Sequence, residues 1–334
     1  MPRSARALRA PLLALLCIAL FGWPWVTGTP GLLNLLTGGV IWGLFALSYH
    51  LVLGWTGEIS FGHSLWFGAG MYGTALLLQA TRVDALPGIL LAAVALVPLA
   101  LLVHLLSLRL RGPYFAMITF ALAEFAGLLV QNATSLTGGT NGLTGVPISP
   151  DLAAPGTLYL SASLLLIAAV AAVLWLRGTR VGLVARAVRD NPTRAALFGH
   201  SEVWAKTLTL GGASLLAAIA GGLFLCYQGM AFPAAFGSDT SFTVLLMATI
   251  GGADSAWGAA VAGIGLYALE NSLTATTSHW GLLLGVVYIA VVRFLPGGLG
   301  GLWRRVGASR GRAVTTGAIL ESSDQSAPRG GLLR

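Results

Sequence analysis

Few residues in this chain are equipped for chemistry, and most of those lie inside or beside apolar runs. Glu124 stands mid-way along one, with Phe120 and Leu128 a helical turn to either side, while His50, His104 and Glu270 stand near the ends of others. An ionisable group at such depth is costly. It must meet a partner or water, and it marks either an interhelical hydrogen bond or a pathway. Glu58, Ser60 and His63 fall in a glycine-rich elbow, Gly54-Trp-Thr-Gly-Glu-Ile-Ser-Phe-Gly-His63, and Asn141 falls in a turn-rich loop, Thr134–Pro147, with four glycines. Exposed backbone in such an elbow is tolerated at membrane depth only where protein or a cavity surrounds it. Glu58, Ser60, His63, Glu124 and Asn141 are therefore candidates to line a polar path. A plain solvated turn is the simpler reading of Glu58 and His63.

No nucleophile and base can be assembled from these residues. Gly138-Gly139 lacks the Lys-Ser/Thr that completes a P-loop. Cys17 and Cys226 sit in apolar runs as small hydrophobes, neither a disulfide framework nor a metal site. The expectation is a chain that is not an enzyme and holds no cofactor or metal.

The elements that must position these groups follow from composition. Of 334 residues, 56% are hydrophobic and 9% charged, against about 25% charged in a soluble domain. That excludes a water-soluble enzyme, a secreted disulfide scaffold and a disordered chain. The net charge of +8 comes almost wholly from arginine, Lys206 being the only lysine. Positive loops on the cytoplasmic side explain this better than a nucleic-acid partner.

A spanning helix needs about 20 mostly apolar residues. Candidates are 11–27, 31–53, 60–80, 87–108, 113–132, 157–176, 207–227, 241–252, 257–272 and 279–295. The expected fold class is all-α, a polytopic transmembrane helix bundle of about ten segments. Eight spans plus a re-entrant hairpin over 241–272 is the alternative. Arg3, Arg6 and Arg9 place the N-terminus inside; counting spans then puts Arg109, Arg111, the 177–206 loop, Arg304, Arg305, Arg310 and Arg312 inside as well. The chain is N-in and C-in, with only Arg82 in an outside loop. The first segment is expected to be retained, since no small-residue cleavage site follows Trp23-Pro24-Trp25. Residues 1–300 form the membrane domain, and 301–334 a polar, disordered cytoplasmic tail. Gly281/Gly285, Ala69/Gly73 and Ala218/Gly222 have the spacing that lets helices approach closely.

The 177–206 loop is built to dock something. Val181, Val184 and Val188 share one helical face, and Arg186 is placed i,i+4 from Asp190. Asn191-Pro192 reads as N-cap and N1 of a second short helix that closes on Gly199. An amphipathic helix resting on the bilayer is the other reading. The Gly251–Ser255 turn resembles the first elbow in plan, apolar runs flanking glycines and one acid (Asp254, as Glu58 before). Interrupted segments in two halves are what an internally repeated transporter shows.

Four stretches in order, Gly-Trp-Thr-Gly-Glu-Ile-Ser-Phe-Gly-His (54–63), Leu-Arg-Gly-Pro-Tyr-Phe-Ala-Met-Ile-Thr-Phe-Ala (110–121), Ser-Leu-Thr-Gly-Gly-Thr-Asn-Gly-Leu (135–143) and Arg-Ala-Val-Arg-Asp-Asn-Pro (186–192), resemble the LivM-type permeases of branched-chain amino acid ABC importers over about residues 31–300. Glu58 departs from the glutamine usual in that family, and Asp190-Asn191-Pro192 from Glu-Asn-Glu. The resemblance implies a multi-pass permease of the bacterial inner membrane. Its partners would be a second homologous permease, two cytoplasmic ATPases that consume the ATP, an extracytoplasmic solute-binding protein and the small-molecule solute. Arg186, Arg189, Asp190, Asn191, Arg194, Leu197, Phe198 and Gly199 would couple it to the ATPases. A urea or short-amide permease, and an ion-coupled carrier using Glu124, are the alternatives.

Overall fold

The computed structural model describes residues 30–81, 83–110, 112–276, 279–294 and 297–301. The expected first segment with Cys17, together with Arg82, Arg111 and the tail from 302, lies outside the described residues. Within them the chain runs through helices α1 (Pro30–Leu51), α2 (Ser64–Ala80), α3 (Ala85–Ser107), α4 (Pro113–Asn132), α5 (Pro155–Leu176), α6 (Arg180–Asp190), α7 (Pro192–Leu197), α8 (Glu202–Gln228), α9 (Ser238–Gly251), α10 (Ala256–Thr276) and α11 (Trp280–Phe294). Proline opens several of these, Pro113, Pro155 and Pro192 among them, where its missing N–H is no loss. Gly57 and Gly229 take positive φ (72° and 73°) to end α1's last turn and α8.

Among the described residues five helices are long and apolar enough to cross a membrane: α1 with its last turn (Pro30–Thr56), α3, α4, α5 and α8. α2, α9, α10 and α11 lie on the other described apolar runs but differ in reach. At 1.5 Å per residue α9 is about 21 Å long and α10 about 31 Å. The 241–272 stretch is therefore two unequal helices about the Gly252–Ser255 turn.

α1 and α8 are the centre of the bundle. α1 packs against α10, α8, α5 and α9, and α8 packs against α2, α3 and α1. In lipid no hydrophobic drive brings helices together, so close backbone approach and dispersion must do it. Gly39 and Gly43, spaced i,i+4, seat α1 on Ala260, Gly263 and Ile264 of α10; a methyl group on Gly43 would stand 2.9 Å from the Ala260 carbonyl oxygen. Gly70 of α2 lies against the backbone of Ala218, and Gly222 against Thr74 and Ile89, so the expected Ala218/Gly222 pair is used. For Gly281 and Gly285, nothing among the described residues lies within 4 Å of where their Cβ atoms would be.

Two helices begin inside the bundle. The chain turns back after Gly57, and His63, just before α2, packs on Phe45 and Tyr49 of α1. From the opposite end, the 3₁₀ turn Pro233–Phe236 carries Phe236 down between Gly68 of α2 and Gly127 of α4 before α9 starts. The two starts meet: Ser64 N–H donates to Ser241 Oγ (3.0 Å), and Ser64 Oγ donates to the Phe236 carbonyl (2.7 Å).

Gly43→Val should lower the thermal unfolding midpoint of the detergent-solubilised protein, overpacking a tight crossing by about 1–3 kcal/mol. Gly285→Ala should leave it unchanged. Equal midpoints for both would show that the α1–α10 crossing does not hold the bundle together.

Candidate functional site

The arginine-bearing loop folds into the two short helices expected of it. Asn191 Oδ1 accepts from Arg194 N–H at 2.9 Å and caps α7. The end of α7 closes through Gly199 at φ +78°, with His200 N–H donating to Ala195 O and Gly199 N–H to Ala196 O, a Schellman arrangement. Leu197 and Phe198 stand 83% and 76% exposed at this tip, beside a groove walled by Ala187, Asp190, Arg194 and Phe198. Two large apolar side chains are thus presented to solvent at the end of a doubly capped helix.

The buried face of α6 is Gly182, Ala185 and Val188, rotated from the valine face the spacing suggests; Val181 is exposed. Gly182 permits this by lying against the backbone of Leu176 and Arg177. Arg186 does not reach for Asp190. It turns back, Nε donating to Gly182 O (3.1 Å) and Nη2 to Arg177 O (2.9 Å), clamping α6 to the end of α5.

Beneath α6 the two elbows stand side by side. α1 ends in a π turn, Val52–Thr56, and Gly54 there is pressed against the Ala253 carbonyl with no room for a Cβ. The last carbonyls of a helix lack intrahelical donors and carry the negative end of its dipole. Arginines meet both needs. Arg189 Nη1 donates to Gly54 O and contacts Asp254 Oδ1 at 3.3 Å, while Arg177 Nη1 donates to Asp254 O at 3.0 Å. His50 lies buried on α1 with its ring against Gly54 of the π turn. The sequence marks Asp254 only as the acid of its turn and Arg177 only as the start of the arginine-bearing loop, because their meeting joins positions 77 apart.

The five residues considered for a polar path do not come together. Glu58 is bonded at 2.6 Å to Lys206, which also holds Glu202 at 2.8 Å; the side chains are 12%, 12% and 23% exposed. Where the family pattern has glutamine, this chain thus has an acid matched by its only lysine. Ser60 is fixed by Tyr49, whose hydroxyl donates to Ser60 O and accepts from Ser60 N–H. His63 is buried, not solvated, and bonded to Ser48 Oγ at 2.8 Å. Asn141 is exposed on the far loop, whose Leu143 pairs with Ala231. Glu124 stands partly buried on α4. Its Oε1 accepts from Ser238 N–H at 3.2 Å, at the start of α9. A carboxylate there satisfies an orphan donor and the positive end of the helix dipole. Among the described residues no three His, Cys, Asp or Glu side chains gather as metal ligands.

The geometry is that of an apolar multi-helix bundle with candidate membrane spans and an exposed, capped helix tip at its arginine-bearing end. The family model of the branched-chain amino acid transport system permease component matches residues 31–292, and the chain belongs to that family. It is 26% identical over 316 residues to the high-affinity branched-chain amino acid transport system permease protein LivM of Salmonella typhimurium, and equally to that of Escherichia coli. Each alignment covers 86% of this chain and 74% of the relative. No solved structure matches it. The resemblance carried by the four motifs is borne out, and the chain is a multi-pass protein of the inner membrane.

Glu124→Gln keeps an acceptor for Ser238 N–H and should accumulate in the membrane at the normal level. Glu124→Leu leaves that N–H unpaired and should accumulate less, the unmet group costing about 1–3 kcal/mol. Membrane levels by immunoblot decide; equal levels for Leu and wild type would remove the capping role.

Proposed function

We propose that this chain is one of two permease subunits of an ATP-driven importer of branched-chain amino acids. The observation that carries the reading is the docking tip: a helix capped at both ends that presents Leu197 and Phe198 to solvent. Arg194 stands beside them, exposed like Asp190 and Asn191. Two cytoplasmic ATPases bind this surface and consume the ATP; the permease itself hydrolyses nothing and needs no cofactor. An extracytoplasmic binding protein delivers the solute to the opposite end, where the Thr134–Pro147 loop and Asn141 lie. The LivM relatives, named for high-affinity branched-chain amino acid transport, support the solute class.

In this reading both chain ends are cytoplasmic and the chain crosses the membrane ten times, counting residues 11–27 as the first crossing and the Pro233–Phe236 turn with α9 as one. Residues 1–300 form the membrane domain, and the tail beyond them is cytoplasmic. Glu124 and the Ser64–Ser241 meeting place border the translocation path, since they are the polar groups within the bundle where two helices begin at depth. Glu58, Ser60 and His63 hold the elbow shape on which that path depends. Movement is alternating access, powered by closure of the ATPase pair.

Reporter fusions after residue 82 and within 134–156 should read outside, and fusions near Arg189 or after Arg304 inside. An outside signal at Arg189 would overturn both orientation and docking. The double variant Leu197→Ala/Phe198→Ala should insert normally but recover less ATPase on co-purification, Phe198 alone burying about 1.5–3 kcal/mol of apolar surface in a groove. Full ATPase recovery from it would reject the tip as the docking element.

A further inference from the structure

Docking helices are useful only if their displacement reaches the membrane segments, and the structure shows one side chain that connects the two. We infer that Arg189 is the positioning residue that carries movement of the α6–α7 pair into both elbows of the bundle. The inference rests on the reading of α6–α7 as the ATPase-docking pair.

Arg189 is next to the last residue of α6, two positions before the elbow at Asn191. Although it belongs to the docking loop, it does not point to the docking surface. Its stem lies over Gly57, whose missing Cβ leaves the room; a Cβ there would stand 3.1 Å from Arg189 Cγ. Its guanidinium reaches the Gly54 carbonyl in the π turn of α1 and the Asp254 carboxylate in the α9–α10 turn. One planar group with fixed donor geometry thus holds two turns that are 200 positions apart in sequence, 54 against 254. Those turns are where α1, α2, α9 and α10 end or begin.

The receiving turns suit the task. A π turn breaks the regular helical ladder and is a frequent functional irregularity. Gly54 and Ala253 are already in backbone contact, so neither turn can shift without the other. Arg186 and Arg177 do something different: they tie α6 to α5 and α5 to the same turn, fixing a pivot on the other side of Arg189. A displacement at Phe198 then rotates α6 about its junction with α5, and the Arg189 end, a full helix length away, moves most.

A cap that merely stabilises the fold would change how much complex forms and leave each complex working normally. A transmitting residue changes the work done per complex. The test is therefore the ratio of solute-stimulated to basal ATP hydrolysis, measured per recovered complex of both permeases, both ATPases and leucine-loaded binding protein in proteoliposomes. Arg189→Met keeps the stem and removes the guanidinium. It should recover the ATPases at the wild-type ratio while stimulation falls about tenfold, within the range of measured coupling between sites. Asp254→Asn keeps the Gly54 bond and loses the exposed ion pair, so a fall of about threefold is expected. If Arg189→Met does not accumulate, Arg189→Gln gives the same reading, because both acceptors are met by Nη1 at the end of the arginine and a shorter, neutral amide does not hold the two together. Stimulation within about twofold of wild type, at normal recovery, would overturn the inference and leave packing of Ala185 and Val188 as the transmitter. Loss of ATPase recovery would also overturn it, making Arg189 a docking contact. A wild-type complex that recovers no ATPase would instead overturn the functional reading on which the inference rests.

Discussion

Helices that end at a membrane surface leave carbonyls without donors, and at the arginine-bearing end of this bundle that requirement organises everything else. α1, α5 and α9 all finish there, each with the negative end of its dipole facing the same small region. Water could meet some of those carbonyls, but a π turn and a tight glycine turn pressed together leave little room for it. Arg177, Arg186 and Arg189 supply the donors instead. The excess of arginine in one loop, which the positive-inside rule treats as a statement about topology, has here a local structural cause.

The rest of the fold follows from keeping those ends close. α1 must sit between α5, α9 and α10, and glycines at 39, 43 and 263 let it do so without side chains in the way. The aromatic packing of Trp42, Phe45, Phe67 and Phe224 then fills the centre between α1, α2 and α8. Two helix starts are buried by the same packing, and their N–H groups are met by Ser241 and Glu124 because bulk water is not at hand. Lys206 completes the pattern on the elbow's outer side, holding two acids that would otherwise repel.

Much of the chain's local structure was legible in its sequence. Asn191-Pro192 and Gly199 begin and end α7 because capping chemistry is decided within five or six residues. Helix positions followed apolar runs for the same reason, and four ordered motifs sufficed for the family. Pairings across the chain were not legible. Glu58 carries no sign in its own neighbourhood that Lys206 will cover it, and Asp254 none that Arg189 and Arg177 converge on it. His63 looked like a loop residue because its partners, Ser48 and Phe45, lie on the preceding helix. The Gly281/Gly285 spacing is met by no packing partner among the described residues. The α6 face was misjudged by a fraction of a turn because Gly182 carries no apolar signal yet makes the closest approach.

The central claim is that ATP hydrolysis by docked partners moves a branched-chain amino acid through this bundle. Its most direct test is uptake of labelled leucine into proteoliposomes holding both permeases and the ATPases, with binding protein outside and ATP sealed inside. The account predicts accumulation that requires the enclosed ATP, survives collapse of proton and sodium gradients, and is competed by isoleucine and valine but not by urea. Leucine uptake that needs no ATPase subunits and stops when the ion gradients are collapsed would contradict it.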